Sequence, residues 1–126
     1  MNFLDSKVNL AIEESQKSDH KQKIGVIIFN KKIIISKGHN TSLKSVKKLH
    51  PKFQRWKGSV HAEVDAIIKA KTDLKGCEML IVRINSGKQF RLSKPCLYCM
   101  SYIEHVGIKR IFYTIPEYPY IIEEKI

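Results

Sequence analysis

The chain has 126 residues, 43% of them apolar, which is enough for one core without disulfide or metal staples. No run approaches the about eighteen uninterrupted apolar residues of a membrane helix, and "MNFLDSKVNLAIEESQ" alternates apolar with charged residues instead of placing a basic region before an apolar one. A single soluble domain over residues 1–126, cytoplasmic and without membrane, is therefore expected; the formal charge of +11 points to anionic partners, and the three cysteines form no even disulfide framework.

Leu4, Val8, Ala11 and Ile12 recur at helical spacing, so residues 3–17 read as an amphipathic helix over one face of the core. "KIGVIIFN" and "KIIISKG" are Ile-rich apolar runs joined by "NKK", a β-hairpin whose turn lacks the best residue pair. Residues 38–60 carry Gly, Pro, Asn and Ser punctuation and little periodicity, and read as a long loop with room for a helical turn. A helix over 61–71, the strand "EMLIVRI", a polar connection to Pro95 and a helix over 96–106 follow. "IKRIFYT" is a fourth strand, and "YIIEEKI" offers a fifth. Only "IPEYP" separates these two, too short for a parallel crossover, so a fifth strand should pair antiparallel or lie elsewhere. The order predicts an α/β domain, a mixed sheet of four to five strands flanked by helices, with each strand–helix–strand passage favouring parallel neighbours.

All the net charge lies in one stretch. Residues 20–62 contain eleven Lys or Arg and no Asp or Glu, whereas the remainder carries twelve of each sign. Lys44, Lys47, Lys48, Lys52 and Arg55 interleave there with Phe53 and Trp56, a pattern suited to a phosphate backbone with stackable bases, or to a solvated lysine-rich loop. His39 and His50 can reach phosphate from the same stretch, although loop histidines are ordinarily solvated.

Two short segments carry chemistry. Cys96 and Cys99 stand three apart at a helix start, share a face, and gain as thiolates from the positive end of the helix dipole. Alone, such a pair is a redox motif or half a zinc site; Cys77 reads as a small buried residue. His61 opens the preceding helix and can supply a third ligand if both helix starts lie at the same sheet edge. Three protein ligands leave a fourth tetrahedral position for water, the catalytic pattern. Glu63, two residues on, is poorly placed to ligate the same ion but can reach the water and shuttle its proton.

"HAEVDAI" followed by "SKPCLYC", with "GHN" before and "GIKRIFYT" after, resembles the zinc-dependent cytidine and deoxycytidylate deaminase superfamily across most of the chain. The resemblance implies a three-layer α/β/α cytidine-deaminase-like fold and one catalytic Zn2+ held by His61, Cys96 and Cys99, with Glu63 as proton shuttle. It further implies that Asn40 and the Ala62 amide contact the substrate and that a cytosine is converted hydrolytically to uracil; members of the family often assemble into dimers or larger, and the sequence leaves open whether this chain forms a homo-oligomer. Free cytidine deaminases generally carry Cys in place of His61, so "GHN" and "HAEVDAI" lean towards the deoxycytidylate and polynucleotide branches. Polynucleotide enzymes usually place a helix between their last two strands, for which this chain has no room. Three readings stand: a deaminase of a cytosine nucleotide, a deaminase of single-stranded DNA or RNA (cytosine, or adenosine as in transfer RNA) using residues 37–57 as a groove, and a nucleic-acid-binding module with a structural zinc closed by Cys77 or a histidine.

Overall fold

The computed structural model describes residues 3–19, 22–41 and 61–126. Three helices and six strands follow one another: α1 (Phe3–Ser15), β1 (Lys23–Asn30), β2 (Ile33–His39), α2 (Ala62–Ala70), β3 (Glu78–Ile84), β4 (Phe90–Arg91), α3 (Leu97–His105), β5 (Arg110–Thr114) and β6 (Ile121–Lys125). They form one mixed sheet in the order β2-β1-β3-β5-β6, with β4 on β3. Among the described residues, no helix is long and apolar enough to cross a membrane.

Burial decides this order. Val26 to Phe29 of β1 are wholly inaccessible on both faces, whereas β2 interrupts its apolar residues with Ser36, Lys37 and Gly38. β1 therefore takes the interior position and β2 the edge, and β1 pairs antiparallel with both β2 and β3. This corrects one expectation: the β2–α2–β3 passage joins strands that run in the same direction but are not neighbours, because β1 lies between them. The β3–α3–β5 passage does give parallel neighbours, and β6 returns antiparallel on β5, as the short connection requires.

The sheet has six strands and not four or five, because the connection read as polar contains β4. Phe90 and Arg91 pair with Ile84 and Arg83, prolonging the row that β5 begins lower on β3. The hairpin joining β1 to β2 turns through Lys31, whose φ of 56° is left-handed, consistent with a turn lacking the favoured residues.

Two apolar layers sandwich the sheet. On one face Val8 and Ala11 of α1 pack on Ile27, Phe29, Leu80, Val82 and Phe112; on the other Val64, Ala66 and Ile67 of α2 and Ile103 of α3 pack on Val26, Ile28, Met79, Ile81 and Ile111. This is the expected three-layer α/β/α arrangement, and strict alternation along β1 and β3 feeds both layers. Two glycines let the helices close in. A Cβ on Gly25 would stand 1.9 Å from the Ala11 carbonyl oxygen of α1, and one on Gly38 would stand 2.4 Å from the Ala66 nitrogen of α2. Beside Gly38, the buried Ser36 hydroxyl donates to the Ala66 carbonyl at 2.7 Å, fixing α2 along the edge strand.

Candidate active site

α2 and α3 begin beside each other. His61 is the N-cap of α2 (φ −70°, ψ 151°) and Cys96 the N-cap of α3 (φ −68°, ψ 170°); neither makes a side-chain capping bond. Residues at this position usually satisfy a backbone N–H with their own side chain. Here the two side chains turn towards each other: His61 Nδ1 lies 3.2 Å from Cys99 Sγ and 3.7 Å from Cys96 Sγ.

The approach to Cys96 is fastened to the sheet. Ser93, almost wholly buried, donates its hydroxyl to the Ile81 carbonyl at 2.7 Å and accepts from the Thr114 amide at 2.7 Å, while its own amide donates to the Thr114 carbonyl at 3.0 Å. The Thr114 hydroxyl donates to the Arg91 carbonyl at 2.7 Å and accepts from the Arg83 amide at 3.2 Å. These bonds join β3, the end of β4 and β5 two residues before Pro95, so the position of Cys96 is set by buried polar groups with partners.

The donor set suits a metal. The ligand atoms of His61, Cys96 and Cys99 lie within 4.8 Å of one another. Tetrahedral zinc, with bonds of about 2.0 to 2.3 Å to nitrogen and sulfur, places its donors about 3.5 to 3.8 Å apart. Cys77 is outside this group; it is buried just before β3, at the opposite end of that strand from Arg83. Closure of a four-ligand site by Cys77 therefore has no counterpart among the described residues.

The electrostatics separate the two thiols. A hydrogen bond from Cys99, outweighing partial burial, holds Cys96 down to about 5. Cys99, which gives up that hydrogen bond and is buried, is pushed well above the usual thiol range. Glu63 is 5% exposed; desolvation raises its carboxyl above the ordinary value, against a backbone hydrogen bond and the nearby His61. Glu63 thus sits beside the donor group without belonging to it, as its two-residue offset from His61 predicts.

A cavity of about 240 Å³ adjoins these groups, lined by His61, Glu63 and Cys96 together with Asn40, Arg83 and Lys94. Asn40 is buried; its Oδ1 accepts from the Ile24 amide at 3.0 Å and its Nδ2 donates to the Gln22 carbonyl at 2.5 Å, joining the end of β2 to the start of β1. The Ala62 amide opens α2, and Ala62 itself is wholly buried. The proposed contacts Lys44, Lys47, Lys48, Lys52, Phe53, Arg55 and Trp56, together with His50, lie outside the described residues. His39 is not a solvated loop residue: it ends β2 and pairs with Glu14.

Sequence reasoning missed Arg83, Ser93 and Lys94. The signal for Arg83 was present as a lone cation inside "EMLIVRI", an otherwise apolar strand after its first residue; Ser93 and Lys94 directly precede the Pro-Cys pair.

Residues 1–115 match the family described as the cytidine and deoxycytidylate deaminase zinc-binding region. No curated protein matches the chain. Among solved structures, the dCMP deaminase from the cyanophage S-TIM5 is 22% identical in its apo form, with a TM-score of 0.64 over 88% of this chain and 81% of that one. Its complex with dCMP and dUMP gives 20% identity and a TM-score of 0.63, over 88% of this chain and 79% of that one. A cytidine deaminase from Burkholderia pseudomallei is 13% identical, with a TM-score of 0.65 over 96% of this chain and 91% of that one. At these identities the likeness is one of fold.

Proposed function

Because the chain belongs to the cytidine and deoxycytidylate deaminase family, whose members are zinc-dependent hydrolases of carbon–nitrogen bonds, we propose that its substrate is a cytosine nucleotide of the dCMP or CMP type. In this reading residues 1–126 form one deaminase domain, His61, Cys96 and Cys99 hold the zinc, and Glu63 moves the protons. The observation that carries it is the position of Glu63: buried, beside the three donors, and in the wall of a cavity that it shares with His61, Cys96 and Asn40.

Zinc, when bound to this donor set, supplies the Lewis acidity that makes water nucleophilic near neutral pH. Glu63 accepts the proton that the attacking water releases and delivers it to the ring nitrogen as C4 becomes tetrahedral; it then takes the second proton from the new hydroxyl on C4 and passes it to the departing amino group, so that the C4–N bond breaks to give uracil and ammonia. Burial suits it to this traffic, because a raised carboxyl binds and releases a proton closer to neutrality than an exposed one. Asn40, already fixed by Ile24 and Gln22, offers its remaining N–H and lone pair to the nucleotide, and the Ala62 amide faces the base.

The dCMP deaminase from cyanophage S-TIM5, which shares the fold, was solved with dCMP and dUMP and supports the nucleotide reading. A second reading, a single-stranded nucleic acid substrate, rests on the concentration of eleven basic residues in 20–62. A mass-spectrometric assay offering the zinc-loaded protein dCMP, CMP and a mixed-sequence single-stranded oligonucleotide separates the two. Conversion of mononucleotides alone is the expected result; conversion of the oligonucleotide alone, with affinity falling steeply as salt rises, would replace it with the second reading.

A further inference from the structure

Arg83 is the residue of the cavity wall that the deamination chemistry leaves unused. Side chains alternate along β3, so Arg83 continues the row of Met79 and Ile81 on the face covered by α2 and α3. An apolar side chain there would prolong the core. Instead, the half-buried Arg83 lines the cavity with Asn40, Glu63 and Lys94.

This cation has no carboxylate partner among the described residues. Its Nη1 donates to the Leu92 carbonyl at 3.4 Å, a long bond to a neutral acceptor. Residues 20–62, which reach the cavity through Asn40, Thr41 and His61, contain no Asp or Glu to neutralise it. Arg110 of β5 shows the contrasting case, held by Glu78 at 3.5 Å and Glu123 at 3.1 Å. Lys94 is exposed and shared with Glu124 at 3.4 Å, so it serves the rim as an adjustable charge. A guanidinium without a carboxylate partner is open to an anion entering the cavity, and its planar fork matches two oxygens of a phosphate.

We infer that Arg83, with Lys94 at the rim, seats the phosphate ester of the substrate and so sets the preference for a nucleoside monophosphate over a nucleoside. The inference rests on reading the cavity as a cytosine-nucleotide site. The same chemistry is offered by a phosphate within a strand; a free monophosphate fits better because Arg83 is set in a cavity of about 240 Å³ beside the reacting groups.

The test is calorimetric titration of the zinc-loaded protein, as wild type, Arg83→Gln and Arg83→Lys, with dUMP, deoxyuridine and a short deoxyuridine oligonucleotide. Zinc content and thermal melting of each preparation are measured alongside. The wild type should bind dUMP about 10- to 100-fold more tightly than deoxyuridine, the range expected for charge-assisted hydrogen bonds. Arg83→Gln should bring that ratio close to one, and Arg83→Lys, which also serves if the glutamine variant does not fold, should keep part of it. A wild-type protein without the preference, or an Arg83→Gln protein that retains it, overturns the inference. An Arg83-dependent gain seen with the oligonucleotide alone overturns the assignment to a monophosphate. Parallel dCMP turnover keeps the two readings apart: Arg83-dependent dUMP binding without turnover removes the proposed reaction and leaves the phosphate seat, whereas turnover with an unchanged ratio in Arg83→Gln does the reverse.

Discussion

His39 Nδ1 lies 2.7 Å from Glu14 Oε2 on one face of the sheet, while the His39 amide donates to Asp65 Oδ2 at 3.0 Å on the other. The edge strand thus ties α1 to α2 through a histidine that immediately precedes Asn40. Lys17 holds Glu14 at 3.1 Å and Lys69 holds Asp65 at 2.9 Å, so each buried carboxylate has a cation beside it as well as a bond to His39.

Replacing His39 with Asn should cost about 1 to 2 kcal/mol in urea unfolding, since Glu14 would keep its burial and lose the imidazole, whereas the backbone bond from residue 39 to Asp65 is kept. The pH dependence has a definite sign. Burial alone would raise the Glu14 carboxyl, but hydrogen bonds from His39 and Lys17 outweigh it and hold the group below its ordinary value. A depressed folded value contributes stability that is complete above the unfolded value and lost as pH falls through the folded one. Wild type and Glu14→Gln should therefore differ most above the ordinary carboxylate range and converge as the pH falls below it. A difference that stays constant over that range would show that Glu14 acts through packing alone.

Glu63→Gln tests the proton shuttle with little change of shape. Turnover of the nucleotide substrate should fall by about 10² to 10⁴-fold, while zinc content by atomic absorption stays at the wild-type level. Wild-type turnover in this variant would remove Glu63 from the chemistry.

Gly38→Ala should damage the site from a distance. Its Cβ would meet the Ala66 nitrogen at 2.4 Å and the Ala62 carbonyl oxygen at 2.7 Å, backbone atoms of the helix that opens at His61. We expect a loss of about 2 to 3 kcal/mol together with weaker zinc retention. Gly25→Ala collides with α1 at 1.9 Å from the Ala11 carbonyl oxygen and should be at least as destabilising. That helix carries no residue of the site, so zinc retention per folded molecule should be kept. Equal zinc loss in both variants would contradict this division.

Cys96 is exposed and its thiol is held down to about 5 by the hydrogen bond from Cys99. In protein stripped of metal by chelation, iodoacetamide should label Cys96 first at neutral pH and continue to do so until the pH falls to about 5. Cys99, raised by Cys96 and by burial, and Cys77, raised by burial, should lag. Zinc loading should protect Cys96, and peptide mass spectrometry reads all three sites. Faster labelling of Cys77 would refute the assignment.

The parts legible in the sequence were those with local signals. "KIGVIIFN" gives Lys23–Asn30 to the residue because turn residues bound an unbroken apolar run, and the helices opening at "HAE" and "PCLYC" lie within one residue of expectation at each end. β4 escaped because two residues carry no periodicity, and its pairing with Arg83 and Ile84 depends on the return of the chain after Asn85–Lys88. The role of His39 escaped for a different reason: Glu14 and Asp65 stand 25 and 26 residues away, and nothing in "KGHN" announces either. In the site itself, residue types with distinctive chemistry were visible, whereas Ser93 and Arg83 act through neighbours brought together only by the sheet.

The two helix starts have one more consequence. α2 and α3 have nine residues each, below the about twelve to fifteen at which an isolated helix begins to hold in water. Each also lacks the side-chain cap that would secure its first turn, worth about 1 kcal/mol, and carries at that position a residue of the candidate zinc site. Loading the ion should therefore act as a clasp on both first turns at once. Amide exchange at residues 62–64 and 97–99 should slow with zinc far more than exchange in the sheet, making the order of the catalytic floor a readout of metal supply.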